Sequence, residues 1–466
     1  MHKRHTGSLT LIAVLYFIVL PGCRIARPYS GPEVSSAPVQ YRDTITVADT
    51  SALMKWFDQY QDTALRNIIR TALDNNRDLL AAGAKIEESR LISGIIKANL
   101  YPRFDYSARA GGGQAGSSAR QVAAGVDGTL FNALGVMNWE LDIWGKLRGQ
   151  TRAAVAQYLA VSENRNVLRF SLVAEAASLY FLLRDLDNRL VIAQKTLTAR
   201  KESTKIIGAR FSKGYISEID LLLAVQQESL AAAAIPNLKR QIVQTENALR
   251  LLMGMSPGAI SRGLSNFDQI LSPEIPVGLP SQLLERRPDI RAAEKLLNAQ
   301  FEKIGVAQAN RFPTLSLTAV LGFASPQLSS FISGKGFVAN GFGGLTGPIF
   351  NFRQNKNQIE VEKQRTRQAQ LQYEQTVLAA FRDVDNALNN YRTFNEEYEQ
   401  RNNQVKAATK SLELHRARYD NGYTSYLEVT VQETNLFDAL FQQSITLQGK
   451  LNAIVQLYKA LGGGWD

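Results

Sequence analysis

Few residues in this chain are of a kind that does covalent or metal chemistry. The 466 residues contain one cysteine and three histidines, and two of those, His2 and His5, sit beside Lys3 and Arg4 at the N-terminus. The third is His415. Such a set offers neither a Cys–His nucleophile and base nor the Cys/His cluster of a zinc site. Gly341-Phe342-Gly343-Gly344 has the glycine content of a phosphate loop, but no Lys-Ser/Thr follows and the surrounding pattern is that of a strand. Carboxylates such as Glu396 and Glu397 read as a solvated helix face. No catalytic residue, no metal ligand and no cofactor are expected, and the chain is not read as an enzyme.

Cys23 is the residue left with a chemistry. Met1 to His5 is a positive n-region, and Leu9 to Leu20 is an apolar run too short to span a membrane comfortably. It ends in Leu20-Pro21-Gly22-Cys23. This resembles the lipobox of bacterial lipoproteins, which implies that residues 1–22 are a signal peptide and that Cys23 is acylated as the mature N-terminus. Pro21 stands where that motif usually has a small residue, and a plain secretory signal with an incidental cysteine is the other reading. Arg24, in place of the aspartate of inner-membrane retention, points by the same resemblance to the outer membrane. One lipid attachment anchors weakly, so further membrane contact is expected. With a single cysteine no internal disulfide can form.

The elements that follow show two periodicities. Residues 23–50 are rich in Pro, Ser, Gly and Thr and read as an extended tether. A helix is expected from near Ser51 and a second from about Arg77 to Asn99. After Pro102, Phe104, Tyr106, Ala108 and Ala110 alternate with Arg103, Asp105, Ser107 and Arg109, which is strand periodicity. A loop from Gly111 to Ser118 and a return strand from about Val122 to Trp144 complete a hairpin. Helical sequence then runs from Lys146 to about Ser212, with Leu172, Leu179, Leu186 and Ala193 as a seven-residue seam. The Lys213-Gly214-Tyr215-Ile216-Ser217 turn breaks it, and a return helix runs from about Glu218 to Met253. Pro236 is expected to kink that helix or end a segment. A proline-rich connector over 255–280 separates two halves.

The second half repeats the first. Asp289 lies 211 residues after Asp78, and at that offset Ala81, Gly94, Asn99 and Pro102 meet Ala292, Gly305, Asn310 and Pro313. Further on the offset is 208, pairing Arg210, Gly214, Tyr215 and Ser217 with Arg418, Gly422, Tyr423 and Ser425. Each half therefore reads helix, β-hairpin, long helix, turn, return helix, over 51–254 and 281–463. The hairpins fall at about 102–144 and 313–352, with a Ser/Gly-rich loop from Ser325 to Gly336 in the second. From Gln354 to Asp420 there is no proline or glycine, and Val377, Val384, Tyr391, Tyr398, Val405 and Leu412 keep strict seven-residue register. That register implies left-handed coiled-coil packing. At ~1.5 Å per residue such a helix reaches on the order of 100 Å.

The formal net charge is +11. Lys and Arg are scattered along helical faces rather than clustered, so a solvated surface is read in preference to nucleic-acid binding. If the four strands enter lipid, their edges must close, because each unpaired backbone group there costs several kcal/mol. The smallest membrane barrels need about eight strands, so the barrel would be shared between chains; the strand count does not choose between two chains and three. The alternative for the hairpins is a soluble β layer covering the ends of the helical rods.

These features together resemble the TolC-like outer membrane efflux proteins, in the lipoprotein branch that serves RND-type pumps (the OprM/NodT-like group). The residues that carry the likeness are the Leu20-Pro21-Gly22-Cys23 lipobox, Arg286-Arg287-Pro288-Asp289-Ile290 with Ala292-Ala293-Glu294, Asn310-Arg311-Phe312-Pro313, Trp139 to Arg148, and Arg418-Tyr419-Asp420-Asn421-Gly422. The resemblance implies a mostly α fold with membrane β: a homotrimer with a 12-stranded β-barrel and a long α-helical coiled-coil periplasmic barrel. Its function would be that of a passive exit duct for drugs or other small toxic compounds. Its partners would be a periplasmic membrane-fusion adaptor, an inner-membrane RND-type pump and outer-membrane lipid. Gly214, Tyr215 and Ser217, with Gly422, Tyr423 and Ser425, would form adaptor-docking turns, although any helical hairpin needs such residues. Leu412, Arg416, Asp220 and Glu428 would be candidates for a periplasmic gate. The family often has an acid where Arg416 stands, and Leu412 is equally the last rung of its seam. Asp220 and Glu428 also complement the N-terminal dipoles of their helices. A duct for type I protein secretion, or a coiled-coil envelope scaffold without a pore, are the other readings. Few methionines and no His/Met cluster weigh against a dedicated copper or silver channel.

Overall fold

The computed structural model describes residues 29–31, 61–111, 130–269, 280–325, 328–333 and 336–462. Cys23, the expected signal segment, nearly all of the tether, the start of the helix expected from Ser51, and the first part of the strand expected from Val122 lie outside them. In chain order the elements are α1 (Thr63–Asn75), α2 (Arg77–Ala98), β1 (Arg103–Gly111), β2 (Leu130–Leu141), α3 (Lys146–Ser212) and α4 (Glu218–Leu252). There follow α5 (Pro280–Arg286), α6 (Pro288–Ala309), β3 (Thr314–Ser325), α7 (Leu328–Ile332), β4 (Phe337–Thr346), α8 (Gln354–Asp420) and α9 (Tyr426–Ala460). The duplication is matched residue for residue in the helices: α2 and α6 each have 22 residues, α3 and α8 each 67, and α4 and α9 each 35.

Three local expectations are revised. Pro236 does not end α4, which continues through it. The carbonyl it leaves without a donor belongs to Ala232, an exposed residue on which water can take the bond, while Ala231, Leu238 and Ile242 hold the buried face. The second return strand stops at Thr346 rather than near Phe352. Pro348 has no N–H for the ladder, and any Cβ on Gly347 would lie 2.7 Å from Pro313, so the chain there is pressed against the start of β3. A short helix, α5, follows directly on the connector and another, α7, lies in the Ser/Gly-rich loop, both too brief to show a periodicity.

The chain forms two compact units. One comprises residues 1–33, 85–161 and 292–373 and contains the sheet. Its four strands lie in the order β1-β2-β3-β4, every neighbouring pair antiparallel. The other comprises residues 34–84, 162–291 and 374–466 and contains the helix-to-helix turns. Its core includes Leu65, Ile69, Tyr180, Phe181, Leu183, Leu186, Leu249 and Leu451, all fully buried. Asp62 is buried beside them. Its carboxylate accepts the N–H groups of Ala64 and Leu65 at the head of α1, the Tyr180 hydroxyl at 2.6 Å, and the Leu264 N–H and Gln269 amide. Five donors on one carboxylate satisfy the charge and tie the chain after α4 to α1 and α3.

The duplication extends to the helix ends in this unit. Asn76 donates to the Leu252 carbonyl at 3.0 Å and caps α2 by accepting from Leu79. At the equivalent place Arg287 donates to the Ala460 carbonyl at 3.1 Å and pairs with Asp289, whose carboxylate accepts from Ile290. Each return helix thus has a terminal carbonyl held by the residue that opens the second helix of its own copy.

Candidate functional site: an amphipathic sheet and two matched turns

The register of the sheet sorts its side chains by polarity. Phe104 and Tyr106 stand opposite Met137 and Gly135, which stand opposite Ala319 and Leu321, which in turn meet Gly341 and Ala339. Because alternate residues share a face, the same side carries Trp139, Leu315, Leu317, Phe323, Phe337 and Leu345. No charged residue falls on it. The opposite face is mixed: it carries the strands' charged side chains, Arg103, Asp105, Arg109 and Glu140, and the polar Asn132, Asn138, Thr314, Ser316, Thr318 and Asn340, together with Leu134, Val136, Val320, Val338 and Phe342. Tyr106 is 92% exposed and Leu345 67%, while at one end of the face Phe331 of α7 packs against Phe131 and Phe323. A continuous uncharged face over four strands, backed by one that holds all the charged side chains of the sheet, is the arrangement of a barrel wall with lipid on one side and water on the other. At the strand ends, Trp139 donates to the Leu100 carbonyl at 3.0 Å. Trp144 donates to that of Pro313 at 2.7 Å while stacking on Phe312. Both indoles thus present an apolar body with a satisfied N–H.

The two turns are built alike. Gly214 has φ +74° and Gly422 φ +76°, the left-handed conformation that a side chain resists. In the first, the Tyr215 N–H reaches the Arg210 carbonyl and the Gly214 N–H that of Phe211; in the second, Tyr423 and Gly422 bond Arg418 and Tyr419 in the same way. This pair of bonds is the Schellman closure of a helix C-terminus. Ser217 caps α4 by accepting the Asp220 N–H, whereas Ser425 occupies the cap of α9 with no side-chain bond. Tyr215 and Tyr423 project from the turns, each 76% exposed. Across the turns the Arg210 guanidinium lies over the Tyr419 ring and within 3.8 Å of Asp420.

The gate candidates fall in different surroundings. Leu412 is buried in a cluster with Ile207, Ala224, Tyr426 and Val429, which joins the two helical hairpins just behind the turns. Arg416 reaches a nearly buried carboxylate, Glu433, at 2.7 Å. Asp220 and Glu428 lie in the first turns of α4 and α9. Burial pushes the Tyr426 hydroxyl up to about 12, with the Glu433 charge adding to it. Burial also lowers Arg200, whose guanidinium donates to the Gln227 carbonyl. Sequence reasoning missed Glu433, Asn76 and the Arg287 clamp. The clamp was legible in the 211-residue offset between Asn76 and Arg287. Glu433 had no such signal, since Val225 occupies its place in the first copy.

A family model described as "Outer membrane efflux protein" matches residues 68–255 and 279–463. The chain belongs to that family. It is 32% identical over 473 residues to the antibiotic efflux pump outer membrane protein ArpC of Pseudomonas putida, covering 99% of this chain and 96% of that one. It is 31% identical over 460 residues to the cation efflux system protein CusC of Escherichia coli O6:H1, covering 96% and 97%. The open-state crystal structure of the Neisseria gonorrhoeae MtrE outer membrane channel superposes with a TM-score of 0.85 at 29% identity, covering 95% of this chain and 99% of that one. The protein is an outer-membrane efflux channel, an exit duct of the kind used by tripartite efflux systems, and its relatives are channel proteins rather than enzymes. Within this family fold, the Arg286-Arg287-Pro288-Asp289-Ile290 segment supplies the Arg287 clamp described above.

Proposed function

We propose that three copies of this chain close one barrel through the free edges of β1 and β4, and that the duct passively releases small toxic compounds delivered by an inner-membrane RND-type pump. The observation that carries this reading is the sheet itself. It has a face without charged residues for lipid, and each outer strand is bonded to one neighbour only. An open edge in lipid leaves every second backbone group unpaired at several kcal/mol each, and pairing β4 of one copy with β1 of the next removes both edges. Three copies make a ring of twelve strands, within the range of known barrels. Cys23, acylated, adds an anchor in the same membrane.

The two turns are the surface offered to a periplasmic membrane-fusion adaptor. Gly214 and Gly422 reverse the chain tightly, Ser217 and Ser425 open the return helices, and Tyr215 and Tyr423 provide paired projecting rings. The burial of Leu412 in the cluster behind the turns favours a role in holding the two hairpins together. Arg416, with its partner Glu433, and the carboxylates Asp220 and Glu428 are the groups left to set the charge of a gate. The deciding experiment is the native mass of the detergent-extracted mature protein with its attached lipid. Three chains per particle, each with an acylated cysteine, is the expected result. A folded, delipidated monomer would remove the shared barrel and the anchor together.

A further inference from the structure

The stretch where β4 hands over to α8 belongs neither to the sheet nor to the helix turns. Ile349, Phe350 and Phe352 are almost completely exposed, the two phenyl rings edge to face with centroids 4.5 Å apart. Phe352 and Arg353 hold φ +45° and +69°, and they are the only non-glycine residues among those described in the left-handed region. Bulky side chains rarely adopt it. The rings follow five and seven residues after Leu345, the last residue of β4 on the apolar face of the sheet. Beside them is an open depression of about 800 Å³ lined by Arg311, Phe312, Pro348, Arg353 and Lys356, with Lys363 and Glu360 at its far side. Lys363 and Glu360 neutralise each other at 2.9 Å. Arg311, Arg353 and Lys356 have no carboxylate partner among the described residues.

The equivalent junction of the first copy is closed on itself. Lys146 pairs with Glu140, Arg148 with Asp142 at 2.9 Å, and Arg103 with Asp105 at 2.9 Å. Trp144, at the position matching Phe352, is stacked on Phe312. One junction thus pairs its cations and stacks its half-buried ring, and the other presents three cations with no carboxylate partner among the described residues and three apolar side chains at a strand end.

We infer that the junction of β4 and α8 is a binding site for an anionic phospholipid, with Arg311, Arg353 and Lys356 on the headgroup phosphate and Ile349, Phe350 and Phe352 among the acyl chains. The inference rests on the reading of the sheet as a barrel wall in the outer membrane. Charge selects the ligand class: three uncompensated cations favour an anionic headgroup over a zwitterionic one. The apolar side chains separate a lipid from a free anion, which has no use for exposed rings. Aromatic side chains at the end of a membrane strand are placed at headgroup level, where their apolar bodies are favoured.

The test is native mass spectrometry of the delipidated, full-length trimer titrated with dioleoyl phosphatidylglycerol and, separately, with dioleoyl phosphatidylcholine. The wild type should prefer phosphatidylglycerol by roughly tenfold or more, with up to one tightly held lipid per chain. The double variant Arg311→Gln, Lys356→Gln should bring the two lipids close to parity. Phe350→Ser with Phe352→Ser should weaken both. The matched change at the first junction, Lys146→Gln, should leave the preference alone. A cation variant that keeps the wild-type preference overturns the proposal. So does complete displacement of phosphatidylglycerol by millimolar inorganic phosphate with no effect of the ring variant, which would make this a free-anion site. If the double variant does not assemble, Lys356→Gln alone, at an exposed position, must still lose part of the preference. A wild type that is not trimeric removes the barrel reading, whereas an intact trimer without lipid preference removes this inference only.

Discussion

Between Leu141 and Lys146 the first copy passes from strand to helix through Gly145, at φ +76°, with the Asp142 carboxylate accepting the N–H groups of Leu147 and Arg148 at 2.9 Å. Between Thr346 and Gln354 the second copy makes the same passage through Arg353, at φ +69°, and there it is the main-chain carbonyl of Asn351, not a side chain, that accepts the Gln354 N–H at 2.8 Å. The backbone path is retained and its chemical support is not. The first junction satisfies the helix N-terminus from within the chain; the second leaves charge and apolar surface for something outside it. Duplication preserves what the fold requires, here a left-handed residue immediately before each long helix, to which the second copy adds Phe352 at φ +45°. It leaves the remaining side chains free to serve the surroundings each copy meets.

The helix turns extend this comparison, because they too share a backbone and differ in one buried side chain. Tyr426 opens α9 from within the tip cluster, whereas the residue that opens α4, Glu218, is exposed. Burial, with Glu433 second, pushes Tyr426 up to about 12. A tyrosine raised in the folded state keeps its contribution below its ordinary value of about 10 and loses it as pH climbs through the folded value. The wild type should therefore lose about 2 kcal/mol more than Tyr426→Phe on going from about pH 10 to 12, read from urea midpoints, with a late phenolate absorbance step missing in the variant. Glu218→Gln should show the wild-type alkaline profile. Superimposable curves for wild type and Tyr426→Phe would mean the two turns are equivalent in chemistry as well as in backbone.

A smaller effect is expected at the junctions. Asp142→Ala removes an acceptor from two helix N–H groups and from the Arg148 guanidinium, which should cost about 2 kcal/mol. Asn351→Ala removes no side-chain bond and should cost a few tenths at most. Hydrogen exchange in the first turns of α3 and α8 is the direct readout. Equal protection losses would dissolve the contrast between a self-satisfied junction and an open one.

How much of this was legible beforehand follows the same division. The repeat offsets and the seven-residue seam located the long helices to within a residue: Val377 and Val384 are fully buried, and α8 runs from Gln354 to Asp420 as its lack of proline and glycine required. Gly214 and Gly422 announced turns because few residues accept a left-handed backbone. The sheet's two faces were half legible. Alternation showed in β1 and β3, but the glycines of β4 carry no polarity, and only the register aligned the four strands. The Arg416–Glu433 pair was not legible, because partners 17 residues apart across a turn leave no periodic trace. The left-handed Phe352 and Arg353 were hidden for a related reason, since nothing in a Phe-Arg pair signals a positive φ.

That last feature gives the sharpest test of the two junctions, although its energy is the smallest. Gly145 and Arg353 each precede a 67-residue helix with nearly the same φ. If the path is imposed by the fold, Gly145→Ala places a Cβ where the backbone resists it and should destabilise by about 1 kcal/mol. Arg353→Gly relieves the same resistance but frees the unfolded chain, so it should stabilise by less than about 1 kcal/mol. The two substitutions should therefore move the urea midpoint in opposite directions. Arg353→Gly should also weaken phosphatidylglycerol binding, because the residue relieved of strain is one of the three headgroup cations. A variant that is more stable yet holds less anionic lipid would show the strained arginine to be kept for what it binds. If Arg353→Gly instead destabilises, the left-handed backbone is held by contacts of the arginine side chain, and the two junctions differ in what fixes their path.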